Sequence, residues 1–168
     1  MEIKINPKWQ LNPPATLDLD AEGRLPLLRG LDPIRLPEDY AAFLRKSEGA
    51  ALRDKDAHFL AHFKDGVRIL EIEWLGNIKN LRVGTSNYLL DNQTDRLIPD
   101  GYAKIGFAEP GPYDVVICVR EGEEDYGKVY VWLQAFDAWM TGDNSLGLGW
   151  VADSFTAFMN GLAAREAL

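Results

Sequence analysis

Hydrophobic and polar positions recur with two different periods along this chain, and the switch between them marks its elements. Residues 1 to 35 follow neither period. Pro7, Pro13, Pro14, Pro26 and Pro33 interrupt that stretch too often for a long helix, which predicts an extended arm with turns. Trp9, Leu11, Leu25, Leu27 and Leu28 are the positions able to tack it onto a body. At Leu36-Pro37-Glu38-Asp39 the pattern becomes helical. Proline is pre-set for the first helical position, two acids meet the positive end of the helix dipole, and Tyr40, Phe43 and Leu44 fall at helical spacing. Arg45 and Lys46 suit the negative end, and Gly49 can take the left-handed conformation that stops the helix.

Period two takes over next. His58 to Phe63 and Val67 to Trp74 are apolar-rich runs separated by Lys64-Asp65-Gly66, and Asp-Gly between such runs predicts a hairpin. Leu70, Ile72 and Trp74 alternate with Glu71 and Glu73, so one face should be buried and the other wet. A helix is expected to begin near Thr85 or Ser86 and carry Tyr88, Leu89 and Leu90, before Ile98-Pro99-Asp100-Gly101-Tyr102 forces a turn. Val115 to Val119 and Val129 to Leu133 predict a second hairpin, joined by the acidic connection Glu121-Gly122-Glu123-Glu124-Asp125-Tyr126-Gly127. Phe136 to Trp150 is glycine-rich and reads as a loop. The last helix is expected after Asp153 or Ser154, which can cap it, with Phe155, Phe158, Met159 and Leu162 as its apolar stripe.

Length and composition set bounds on this picture. A chain of 168 residues, 46% hydrophobic and 26% charged, fits one globular domain. No apolar run reaches the roughly 20 residues a membrane helix needs, and no signal-like stretch opens the chain, so a cytoplasmic protein without membrane contact is expected. The single cysteine, Cys118, leaves no internal disulfide to form and reads as a small buried hydrophobe. Charge is distributed unevenly. Residues 1 to 99 carry 14 basic and 15 acidic side chains, whereas residues 100 to 168 carry 4 and 11. The resulting field disfavours nucleic acid, whose binding rests on phosphate neutralisation by Lys and Arg, and attracts a basic protein. Solubility is the simpler use of the same charge.

Candidate chemistry is sparse. His58 and His62 are four apart, which would serve one metal on a helix, but on the expected strand they stand about 13 Å apart. Gly84-Thr85-Ser86-Asn87 and Asp153-Ser154-Phe155 match no nucleophile elbow. Glu71 and Glu73 stand about 7 Å apart on one strand face, a glycosidase-like spacing that any polar strand face also produces. The glycines of residues 142 to 149 lack the lysine of a phosphate loop. No cofactor, metal or catalytic residue is expected. What remains is surface: Tyr113, Tyr126, Trp139 and Trp150 sit in or beside loops near Glu121, Glu123, Glu124, Asp125, Asp137 and Asp143. Aromatic anchors among carboxylates suit cationic groups of a partner. Trp150, just before the last helix, and Trp132, inside a strand, are expected in the core.

Four segments carry a resemblance: Leu36 to Leu44, Ile98 to Gly106, Tyr126 to Trp132, and Val151 to Met159. In this order the chain resembles the SUKH superfamily of Smi/Knr-like domains over about residues 31 to 165. Ser47-Glu48-Gly49 and Gly111-Pro112-Tyr113-Asp114 depart from that pattern in loops. The resemblance implies an α+β fold: a single domain with a mainly antiparallel twisted sheet and helices packed against it. Residues 1–30 would be a proline-rich arm on or beside the body, and residues 31–168 the domain. It implies no enzymatic centre and a structural role for Tyr40, Phe43, Trp132, Phe155 and Phe158. It further implies a protein partner, either a polymorphic toxin, such as a basic nuclease, neutralised by an immunity protein, or a non-toxin partner of a regulatory scaffold. Charge and aromatics then place the partner-binding surface at Tyr113, Glu121, Glu123, Glu124, Asp125, Tyr126, Asp137 and Trp139.

Overall fold

A computed structural model describes residues 2–52, 56–91, 100–133 and 147–168. Among them the elements run β1 (Gln10–Leu11), α1 (Glu38–Lys46), β2 (Ala50–Ala51), β3 (His58–Phe63), β4 (Gly66–Leu75), α2 (Ile78–Asp91), β5 (Tyr102–Glu109), β6 (Tyr113–Cys118), β7 (Val129–Leu133), β8 (Leu148–Ala152) and α3 (Phe155–Gly161), then a 3-10 turn at Arg165–Ala167. Pro37 stands at the entry of α1, with Glu38 and Asp39 in its first turn and Arg45 and Lys46 in its last. Ser154 caps α3 by accepting a hydrogen bond from the Ala157 amide at 3.0 Å.

All strand pairings are antiparallel, and β4 pairs with β5 as well as with β3. The order β4-β3-β8-β7-β6-β5 therefore returns to β4, and six strands close into a barrel, with β2 and then β1 continuing from the second half of β4. This corrects the expected α+β architecture, a twisted sheet with helices packed against it. The molecule is mostly a closed antiparallel barrel with three helices around it. Extra residues bend the strands for closure: the register slips between Ile72 and Trp74 on β4, between Lys104 and Gly106 on β5, and between β7 and β8. At the β4–β5 seam a Cβ on Gly106 would lie 2.5 Å from the Trp74 carbonyl oxygen, so only glycine lets the two strands approach.

The bulge on β4 also alters the expected alternation. Leu70 and Ile72 are buried, but beyond the extra residue Leu75 takes the inward place, and Trp74 is only half-buried, its ring stacked 6.4 Å from that of Phe107. The barrel interior packs Leu70, Ile72, Ile105, Val115, Ile117 and Val131 in one cluster with Tyr40, Phe43, Phe155 and Phe158 from α1 and α3. Trp9 and Leu25, from the proline-rich N-terminal stretch, join the same cluster. Asp39 ties the two helices together, accepting a hydrogen bond from the Thr156 amide at 2.8 Å.

A second cluster lies outside the barrel, where Tyr88 of α2 meets Tyr102, Val116, Cys118 and Trp132. Strand β6 is thus buried on both faces, which is why Val115 to Cys118 reads as an unbroken apolar run. Helix α2 starts at Ile78, earlier than expected, because the side chains of Asn77 and Asn80 bond each other's backbone amides and fix its first turn. Thr85 and Ser86 are buried instead, accepting hydrogen bonds from the amides of Lys104 and Leu28. Four strands escaped the periodicity: the two-residue β1 and β2, then β5, and β8, which occupies Leu148 to Trp150 of the expected loop. The remainder of that loop, residues 136–146, lies outside the described residues, as do Ile98 and Pro99.

Candidate binding surface

The acidic connection between β6 and β7 is a folded turn. Gly122 and Gly127 supply positive φ values of 83° and 85°, and the amides of Glu123, Tyr126 and Gly127 donate to the carbonyls of Arg120, Glu123 and Cys118. Gly127 sits against Pro37, where an added Cβ would come within 3.5 Å of the ring. Five of the eight expected site residues share this turn, and they divide sharply by environment.

Glu121 is an ion-pair hub. Arg35 Nε lies 2.7 Å from its Oε1, and Arg24 Nη2 lies 3.3 Å from its Oε2. Both arginines come from the N-terminal stretch, about a hundred residues away. Asp125 pairs with the Arg120 guanidinium and accepts a hydrogen bond from the Tyr102 hydroxyl at 3.3 Å. Burial works to raise the Asp125 carboxyl, but hydrogen bonds from Cys118 and Arg120 outweigh it and hold the group below the usual carboxylate range. The Tyr126 hydroxyl donates to the Arg35 carbonyl at 3.3 Å, which leaves the ring half-buried. Glu123 and Glu124 are exposed at the tip, and among the described residues neither forms a salt bridge.

Tyr113 belongs elsewhere. It opens β6, at the end of the strand away from the turn, and is only 7% exposed. Its hydroxyl accepts from Arg68 Nη1 at 3.0 Å, and its ring faces Phe63, over which Arg68 also stacks at 4.2 Å. The structure therefore corrects its placement on the surface: cross-strand packing turns it inward. Asp137 and Trp139 lie outside the described residues. Trp150 reverses the other way. Expected in the core, it stands on the outer side of β8 and is 37% exposed. Periodicity does hold the signal: Trp150 lies two positions from inward-facing Ala152, across one extra residue that an alternation count misses.

The groups weighed for other chemistry are dispersed. His58 and His62 both fall on β3, and His58 Nε2 stands 3.7 Å from Glu71 Oε2 across the β3–β4 pair. Among the described residues no group of three His, Cys, Asp or Glu side chains is placed to hold a metal. Cys118 is buried, and burial pushes its thiol above the ordinary range. Also among the described residues, no helix is long and apolar enough to cross a membrane.

The described residues thus form a small closed antiparallel barrel with three helices and a folded acidic turn at one hairpin. Residues 31–161 match the SMI1 / KNR4 family (SUKH-1), and the chain belongs to that family. No curated protein and no solved structure matches the chain.

Proposed function

We propose that this domain is a non-catalytic, cytoplasmic protein-binding module, an immunity protein that binds and neutralises a basic toxin such as a nuclease. The observation carrying this reading is the acid excess after residue 99, 11 acidic against 4 basic side chains, with Glu123 and Glu124 exposed at the tip of a hydrogen-bonded turn. A nuclease holds phosphates and is therefore basic, so an opposing acidic surface accelerates encounter. Glu121 and Asp125 act within the molecule, fixing the turn so that the two free acids project without an ordering cost on binding. Membership of the SUKH-1 family supports a protein-interacting role.

Co-purification from the native host, with identification of what binds, should return a basic protein. Its association should slow at least tenfold when salt rises from about 0.05 to about 0.5 M, because screening shortens the field. Glu123→Lys combined with Glu124→Lys should slow association similarly while leaving the thermal midpoint unchanged. Association indifferent to both changes rejects electrostatic capture.

A further inference from the structure

We infer that the bare outer wall around Trp150 is a second, anchoring part of the binding surface, shaped for a basic segment of a protein partner that alternates cationic and aliphatic side chains. The inference rests on the protein-binding reading above but uses different residues. His62 on β3 is the register partner of both Val67 on β4 and Trp150 on β8, and Trp150 is in turn the partner of Tyr130 on β7. Directly opposed residues of neighbouring strands point to the same face. Val67, His62, Trp150 and Tyr130 therefore form one transverse row across four strands on the outside of the barrel. Val67 is 56% and Trp150 37% exposed, and the Trp150 ring lies 5.4 Å from that of His62. Isolated exposed apolar side chains are ordinary, but a tryptophan and a valine aligned through a histidine form a contiguous patch of the kind that marks interaction sites.

Beside the row, between β3, β8 and α3, runs a groove of about 260 Å³ whose lining includes Phe59, Leu60, Trp150 and Phe158 and, among the described residues, contains no Asp, Glu, Lys or Arg. A leucine-sized side chain can enter it without stranding a charge. The indole face above suits a guanidinium, since the negative face of an aromatic ring attracts cations and tryptophan does so best. Charge decides the occupant. The chain carries −8, so a second copy would be repelled at long range, whereas a basic segment is drawn in. Acids at the turn would set how fast the partner arrives, and the Trp150 row how long it stays.

The test uses three synthetic peptides on the full chain: one alternating Arg and Leu, one alternating Asp and Leu, and one alternating Arg and Ser. The Arg/Leu peptide should shift the Trp150 indole resonance and bind at least tenfold more tightly than either control. Trp150→Ala should speed its dissociation about tenfold with little change in association. Val67→Lys, at a position too exposed to threaten folding, should weaken binding as well. Equal binding of all three peptides, an unshifted indole, or unchanged dissociation in both variants would overturn the inference. So would sedimentation showing a dimer that Val67→Lys dissolves, since the wall would then be occupied by a second copy. If charge reversal at Glu123 and Glu124 leaves association unaltered while Trp150→Ala still speeds dissociation, capture by the turn fails and the anchor stands.

Discussion

The barrel has two outer walls, and they treat polar groups in opposite ways. Over β5 and β6 the wall is roofed by α2 and contains a buried carboxylate: Asp114 is 1% exposed, accepts the Tyr88 hydroxyl at 2.5 Å and pairs with Lys104 Nζ at 2.8 Å. Gly84 of α2 makes room for this pair, since an added Cβ would meet the Lys104 stem at 3.0 Å. Across β7, β8, β3 and β4 the wall carries exposed Trp150 and Val67 and no comparable buried charge among the described residues. The roofed wall holds α2 in place by satisfying a charge that water cannot reach. Among the described residues no helix lies over the Val67, His62 and Trp150 row, and Val67 and Trp150 are exposed.

The comparison breaks most readily at the roofed wall. Asp114→Ala strips Lys104 and Tyr88 of their shared partner, and chemical unfolding should show a loss of about 3 kcal/mol, tempered by the partial exposure of Lys104. A midpoint within about 0.5 kcal/mol of the parent would mean that the pair does not secure α2.

A smaller effect appears in alkali. Burial first, then the Asp114 charge and hydrogen bond, raise the Tyr88 hydroxyl well above its ordinary value of 10. Because the folded form keeps its proton longer than the unfolded chain, the stabilisation is complete below about pH 10 and drains away as pH climbs above it. Tyr88→Phe should therefore show a shallower alkaline decline, by up to about 1.4 kcal/mol per pH unit, in unfolding curves recorded from about pH 9 to about pH 11.5. Parallel declines in parent and variant would refute the assignment. Smallest of all, Val67→Ser on the bare wall should change stability by less than about 0.5 kcal/mol, and a larger loss would show that this wall is structural after all.

Local signals were legible and distant ones were not. Pro37 with two acids marks α1, Asp65-Gly66 marks the β3–β4 hairpin, and Ser154 marks α3, each because a short-range backbone requirement selects the residue type. Strand β5 was missed because Gly106 and the extra residue at Ile105 break its alternation, and β8 because Gly149 makes it look like loop. Closure was illegible for a different reason: period-two patterning says which side of a strand is buried, not which strand lies next to it. The acidic turn was readable as a connection. That Arg24 and Arg35 would occupy Glu121 was not, since nothing in the turn itself points to side chains a hundred residues upstream.

Gly106 carries a consequence for the whole molecule. With a methyl group there, the Trp74 carbonyl would be forced away, the cylinder would be pried apart along one line, and two raw strand margins would appear along the barrel. Unsatisfied margins of that kind recruit other chains. The absence of a single side chain at position 106 therefore keeps the β4–β5 seam closed and its strand edges paired.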